Sequence, residues 1–508
     1  MYLHYISVHL QRGYCEIEVM RMSPIKEAVH RTSLFLSHNS RADRKTYGQF
    51  FTPETTALFM ASMLHINMGK SSLRILDAGA GSGILSVALL DHIRKSGYLG
   101  LVELVCYEND EKVLGVLAKN LASINDPNFI FEIRGENYIT SQAFDSDTAL
   151  FERENTERYD LVIGNPPYKK IPKNSPEALH MKSVCHGSPN LYFLFWAMGI
   201  HNLKEDGELV YIVPRSWTSG TYFSRFRKYM LSCCAITDIH VFESRDKVFV
   251  GDSVLQETVI VKVSKGTTKP QEIRISSSST SDFLDIKYFN VNYNVIVGRN
   301  NYVYLVTSDE ESQVLHTLGR LSHTLVSDDL RMKTGIIVDF RTRKMLRSES
   351  SDSTYPLFHS QHFRNGRVVW PVGRENEYID TESKSYLQEN TNYLFVKRIT
   401  AKEEKRRLQC AIYNCSDYPD FKYISTHNKI NYIKCSTMEE AYGLYVLLNS
   451  TIYDQYYRIL NGSTQVNATE INNMPVPSRE TIRKMGKELE GKILSQSECD
   501  SILKRWIS

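Results

Sequence analysis

Two consecutive prolines, Pro166 and Pro167, stand directly after the apolar run Tyr159-Asp-Leu-Val-Ile-Gly164. That run reads as a short buried strand. Proline has no N–H to donate and a fixed φ, so no helix can continue from the strand, and an extended, rigid turn follows. The turn Asn165-Pro166-Pro167-Tyr168 presents the Asn165 carboxamide and the Pro166 carbonyl at the carboxyl end of a strand. Both are hydrogen-bond acceptors, and Tyr168 sets a flat aromatic surface beside them. An acceptor pair next to a stacking platform suits an exocyclic amino group on a planar ring, such as N6 of adenine. A loop that merely carries two prolines fits the same four residues, so the flanking chain must decide.

Strand and helix patterns alternate on both sides of this turn. Leu73-Arg-Ile-Leu-Asp77 predicts a strand that enters Ala78-Gly79-Ala-Gly81-Ser-Gly83 and then a helix. Strands at 101–108 and 129–133 flank a helix near 111–123, and an acidic, Ser/Thr-rich loop covers 140–158. After the turn come a polar, mobile stretch at 169–189, an apolar helix at 190–203, a strand at 208–213, a helix at 221–231 and strands at 236–242 and 256–263. Upstream, Thr52 is the expected N-cap of a helix with Pro53 in its first position. Such alternation predicts a mainly parallel sheet covered on both faces. The style changes at Lys265-Gly-Thr-Thr-Lys-Pro270, and the serine run at 276–281 marks a linker or exposed turn.

At 508 residues the chain exceeds one ordinary core, so two or three domains are expected. Hydrophobic residues at 42% and charged residues at 23% fit a soluble globular protein. A net charge of +3 neither requires nor excludes a polyanionic partner, so any nucleic-acid site must be a local basic surface. Nine cysteines without a C-x-x-C pair argue against zinc and fit a reducing cytosol. No apolar stretch is long enough to span a bilayer, and the N-terminus lacks the order of a signal peptide. Met1, Met20 and Met22 all stay open as the start.

The glycine-rich turn after Asp77 lets backbone approach a ligand closely. Its spacing is G-x-G-x-G (Gly79, Gly81, Gly83), which equally serves helix-on-strand packing. Glu108, at the end of the next strand, is placed to accept from ribose hydroxyls, and a solvated strand-end carboxylate fits it too. Glu136 and Asn137, after the third strand, fit either contacts to an adenine ring or a turn.

Taken in order, these segments resemble the gamma-class, TaqI-like N6-adenine DNA methyltransferases. The likeness runs through Gly48-Gln-Phe-Phe-Thr-Pro53, Asp77-Ala-Gly-Ala-Gly-Ser-Gly83, Glu108, Asn165-Pro-Pro-Tyr168 and Val248-Phe249-Val-Gly-Asp-Ser-Val254. It implies a Rossmann-like, S-adenosylmethionine-dependent methyltransferase fold with a mainly parallel seven-stranded sheet at 45–265. It implies S-adenosylmethionine as cofactor, S-adenosylhomocysteine as product and no metal. Phe50, Thr52, Asp77, Gly79, Gly81, Gly83, Glu108, Glu136, Asn137 and Asn165 are the cofactor-binding residues it suggests. Catalysis falls to Asn165, Pro166, Pro167 and Tyr168, with Tyr168 and Phe249 stacking on a flipped base. The family's third motif commonly carries Asp-Phe where this chain has Glu136-Asn137-Tyr138.

Beyond 265, positive charge concentrates in Phe395-Val-Lys-Arg398 and Ala401-Lys-Glu-Glu-Lys-Arg-Arg407, with His427-Asn-Lys-Ile-Asn431 following. A solvated charged face fits this run. So does a DNA surface formed by Lys397, Arg398, Lys402, Lys405, Arg406, Arg407, His427, Asn428 and Asn431. These segments, with Asn449-Ser450, Gly462-Ser-Thr-Gln-Val-Asn467 and Pro475-Val-Pro477, resemble the C-terminal half of PstI-like type II modification methyltransferases. The implied organisation is a helical extension (1–44), the catalytic domain (45–265), a mixed α+β DNA-recognition domain (266–480) and a helical tail (481–508). The implied partners are double-stranded DNA with a short specific site and a cognate restriction endonuclease. A monomer or weak dimer in the bacterial cytoplasm, without membrane contact, is expected.

Other readings compete. The same NPPY site serves methylation of RNA or of a protein glutamine, and a non-catalytic DNA-binding protein is a third possibility. The short E-x-K patterns Glu403-Glu-Lys405 and Glu490-Gly-Lys492 match a nuclease motif that arises easily by chance.

Overall fold

The computed structural model describes residues 23–37, 51–144, 158–243, 257–298, 300–401, 403–462 and 464–507. The chain divides into two compact units. One comprises the described residues up to Pro214 together with Tyr229–Thr268 and Ser278–Ile286. The other comprises Arg215–Lys228, Lys269–Ser277 and the described residues from Lys287 onward. The chain therefore passes between the units five times.

In the first unit, helices α1 (Pro24–Ser37) and α2 (Glu54–Ser62) precede the repeating pattern. It continues through β1 (Ser72–Ala78), α3 (Ile84–Lys95), β2 (Leu101–Tyr107), α4 (Glu111–Ala122), β3 (Phe129–Arg134) and β4 (Tyr159–Gly164). Helix α5 (Leu191–Asn202) and strands β5 (Leu203–Pro214), β6 (Cys234–Phe242) and β7 (Thr258–Lys265) complete it. The strands run in the order β3-β2-β1-β4-β5-β7-β6. Pairing is parallel from β3 through β5, and β7 is antiparallel to both its neighbours. This is the sheet of the Rossmann-like methyltransferase fold. Strand order reverses between β1 and β4, where a ligand crevice opens beyond the strand ends.

The middle of the sheet is dry on both faces, while the edge strand β3 is largely exposed. Every residue of β4 is buried, as its unbroken apolar run requires. Helix α5 carries Phe193, Trp196 and Ile200 fully buried, because a helix apolar all round before its last two residues has no face to give to water. Each such large side chain contributes on the order of 1.5–3 kcal/mol. Gly164 ends β4 because the Tyr211 ring lies where a side chain would go: an added Cβ would sit 2.7 Å from it.

Three local expectations are corrected here. The stretch at 169–189 is tied down rather than mobile. Ser175 caps a short helix, Pro176–His180, Lys170 bridges to Asn190, and Met181 and Val184 are buried. Thr52 is not a helix cap: α2 starts after Pro53, whose carbonyl accepts from Ala57, and the Thr52 hydroxyl is engaged elsewhere. The serine run is no exposed linker. Ser276, Ser277 and Ser278 are buried at the end of the strand Glu272–Ser278, since small hydroxyl side chains fit where strands pack closely.

The second unit is mixed α+β. A six-stranded sheet runs in the order Met332–Thr334, Ile430–Cys435, Asn392–Lys397, Cys410–Tyr413, Arg367–Val368, Phe363–Arg364. A five-stranded sheet joins it in the same unit, and Phe358, Trp370, Tyr393, Phe395 and Tyr413 form an aromatic core. Helix α6 (Met438–Asn449) is buried along almost its whole length. It crosses α7 (Arg479–Leu489) with backbone against backbone at Gly443 and Gly486, where an added Cβ would collide with main-chain carbonyls. The last helix, Gln496–Ile507, buries Cys499, Ile502 and Leu503. The segment Arg215–Lys228 lies within this unit: Arg215 donates to the Ile459 carbonyl at 3.1 Å and Ser219 to Glu470 at 3.1 Å.

Candidate active site

A cavity of about 310 Å³ opens at the carboxyl ends of β1, β2 and β4, at the reversal of strand order. Its floor is the glycine turn. Gly79 and Ala80 donate to the Tyr107 carbonyl at 2.8 and 3.0 Å, which folds the turn back over β2. Gly79 and Gly81 adopt φ of +74° and +56° and line the cavity, as a backbone floor without Cβ atoms requires. Gly83 does not line it. Its role is packing, because at φ +82° it begins α3 with Leu117 only 2.7 Å from any added Cβ.

Glu108 lines the wall, nearly buried. One oxygen accepts from Gly81 N and the other from Asp110 N, both at 2.9 Å. Burial raises its pKa, and those two N–H groups partly offset the rise. Each oxygen retains a lone pair for a ligand hydroxyl. Asp77 lies outside the cavity lining and is fully buried. Its Oδ2 accepts from Ser86 Oγ at 2.6 Å, and its Oδ1 has no hydrogen-bond partner among the described residues. Burial pushes the carboxyl up to about 7.

Glu136 and Asn137 both reach the cavity. Asn137 is at the same time a turn residue: its Oδ1 accepts from Ile139 and Thr140, and its Nδ2 donates to Glu177 at 2.9 Å. The cavity thus carries four carboxylates, Glu108, Asp110, Glu136 and Glu177, against one lysine, Lys169.

The NPPY turn closes the opposite side, with Asn165 and Pro167 in the lining. Asn165 Nδ2 donates to Thr52 Oγ1 at 3.1 Å, although the two residues are 113 positions apart. The Tyr168 hydroxyl donates to the Ile212 carbonyl of β5 at 3.0 Å, and its ring meets Tyr192 edge-on. Pro166 is buried. Phe50 and Phe249 lie outside the described residues.

Sequence reasoning missed Phe51, Asp110 and Phe195, all in the lining. Asp110 carried a signal: it is the N-cap of α4, accepting from Lys112 N, directly after a strand. Phe195 carried none, since it stands among equally apolar neighbours on α5. Its ring covers Gly79, 3.4 Å from where a Cβ would stand.

The basic segment of the second unit divides sharply. Arg407 is fully buried, donating to Thr400 Oγ1 and lying over the Tyr457 ring, and its backbone N–H donates to Asp454. His427 is buried beside Asp339, and buried Asn431 donates to the Val466 carbonyl. Arg406 is spent on the carbonyls of Leu448 and Ser450. As base or phosphate contacts these four are corrected: they brace the unit from inside. Lys397, Arg398, Lys405 and Asn428 reach solvent, and Lys402 lies outside the described residues. Among the described residues no cluster of three His, Cys, Asp or Glu could hold a metal ion, and no helix is long and apolar enough to cross a membrane.

A family model for the Eco57I restriction-modification methylase matches residues 25–249. The chain is 33% identical to the type II methyltransferase M.PstI of Providencia stuartii, covering 96% of this chain and 98% of that one. It is 34% identical to the type II methyltransferase M.BsuBI of Bacillus subtilis over 95% and 98% of the two chains. Among solved structures, the type IIL restriction-modification enzyme MmeI in complex with DNA shares the fold. Its TM-score is 0.56 at 12% identity, across 97% of this chain and 79% of that one.

Proposed function

Because the chain belongs to the type II methyltransferases of restriction-modification systems, we propose that it methylates N6 of an adenine flipped out of duplex DNA, using S-adenosylmethionine. The modification would protect a short site from a partner restriction endonuclease. The observation that carries this reading is the hydrogen bond from Asn165, a residue of the cavity lining, to buried Thr52. A carboxamide whose nitrogen is committed to a hydroxyl turns its oxygen the other way, as a fixed acceptor.

The cavity chemistry fits the cofactor. Four carboxylates against one lysine disfavour the pyrophosphate of a dinucleotide and favour a nucleoside bearing ammonium and sulfonium charge. The lone pairs left on Glu108 suit ribose hydroxyls, and the Cβ-free floor at Gly79 and Gly81 leaves room for the chain that follows. When bound, S-adenosylmethionine supplies an electrophilic methyl carbon.

The protein's own part is to make a poor nucleophile react. The adenine amino lone pair is delocalised into the ring, and the base lies inside a stacked duplex, so it must be extruded. Asn165 Oδ1 and the Pro166 carbonyl accept the two amino protons and draw the nitrogen toward tetrahedral geometry. Tyr168, held upright by its bond to Ile212, offers its ring to the base. Preorganised acceptors and positioning supply the acceleration. The second unit would choose the site on DNA.

Sequencing of modified adenines in DNA from cells expressing the chain tests the reading. A single short sequence context carrying N6-methyladenine is expected. DNA indistinguishable from that of non-expressing cells, with modified adenine in RNA instead, would reject it.

A further inference from the structure

Three segments far apart in sequence meet on the surface of the second unit, and Arg398 knots them together. Its backbone N–H donates to the Lys429 carbonyl at 2.9 Å, and its carbonyl accepts from Val466 N at 2.7 Å. Its guanidinium donates to the Asn428 carbonyl at 3.1 Å and to Gln465 Oε1 at 3.3 Å. Thr400 N donates to the Thr464 carbonyl at 3.0 Å, extending a bridge between Ile399 and Gln465.

The support beneath is rigid. Buried Glu470 accepts from Tyr457, Asn461 and Asn467, which holds the residues on either side of Thr464 and Gln465. Asn431 and Arg407 hold the other two segments from below. What remains at the surface is chemically selective. Thr464 and Gln465 are exposed, Asn428 is half-buried, and Ile399 is 47% exposed among them. Lys405 and Lys429 are exposed and have no carboxylate partner among the described residues. The Glu404 carboxylate beside them accepts from Ala401 N and Gln409.

We infer that this three-loop edge is where the second unit reads duplex DNA, an assignment that rests on the adenine-methylation reading above. Lys405 and Lys429 neutralise phosphates. Gln465 and Asn428 address base edges in the major groove, where a carboxamide pairs with N6 and N7 of adenine. Ile399 packs on a thymine methyl. Loops carried on a rigid, hydrogen-bonded support are how proteins aim polar side chains accurately. The assignment moves recognition away from much of the basic run and onto Thr464 and Gln465.

The full chain is the test. Binding to a labelled duplex of about 30 base pairs is measured across a salt series for wild type and for the Lys405→Ala/Lys429→Ala double variant. The slope of log affinity against log salt should fall by about two. Gln465→Ala and Ile399→Ala should retain cofactor affinity and thermal midpoint while losing about tenfold or more discrimination at one position of the methylated sequence. An unchanged slope together with an unchanged target sequence overturns the assignment. Binding slopes are read without methyl transfer. A wild-type chain that binds duplex but leaves adenine unmodified therefore counts against the catalytic reading alone, while the double variant still decides the surface.

Discussion

Thr52 Oγ1 accepts a hydrogen bond from Asn165 Nδ2 at 3.1 Å, joining the segment before α2 to the turn after β4. The bond ties the carboxamide nitrogen of a residue that lines the cavity. Thr52→Val, which keeps the shape and loses the hydroxyl, should lower the methyl-transfer rate about five- to tenfold, the worth of one hydrogen bond. Thr52→Ser should stay near wild type. Equal single-turnover rates for the two variants would remove Thr52 from this role.

Asn165 itself is expected to matter far more. Asn165→Ala removes a preorganised acceptor, and a loss of about 10²–10³-fold or more in transfer rate follows. Cofactor affinity, measured by calorimetry, should change little, because the glycine turn and Glu108 remain. Turnover within tenfold of wild type would sink the assignment.

Asp77 makes stability depend on pH. Burial raises its carboxyl from 3.8 to about 7 in the folded chain, so the folded state holds this proton longer than the unfolded one. The associated stability is fully present below about pH 4 and is lost as pH rises through about 7. Asp77→Asn removes this dependence. Between about pH 5 and pH 8 the wild type should lose up to a few kcal/mol relative to the variant, as followed by urea unfolding. Parallel stability curves for the two proteins would contradict the buried-carboxyl account.

Gly486 sits where α6 and α7 touch through their backbones. Gly486→Ala forces the helices apart and should destabilise the second unit by about 1–3 kcal/mol or more. An unfolding midpoint indistinguishable from wild type would show that the crossing is looser than described.

Much of the first unit was legible because its local signals agree. The apolar run of β4, the proline pair and the glycine turn each permit only one local geometry, and together they specify a parallel sheet with a site at its carboxyl edge. The site's partners across space were less legible. Nothing local to Thr52 announces Asn165, and the cap chemistry of a threonine before proline pointed to the helix instead. Phe195 was hidden because an apolar helix offers no contrast by which one ring stands out. The basic run misled for a related reason: composition records charge but not direction. Arg406 and Arg407 point inward to carbonyls, a hydroxyl and an aromatic ring, which only the folded unit supplies.

The chain's repeated passage between its units bears on how such a protein can acquire a new target. One crossover near residue 265 would not exchange the second unit whole. It would leave Arg215–Lys228 from one parent, with buried Trp217 and the Ser219–Glu470 bond, to be accommodated by the other parent's residues. Recombination of halves therefore carries a packing mismatch that point substitutions on surface loops avoid. Target divergence among chains woven this way should accumulate residue by residue rather than by exchange of whole modules.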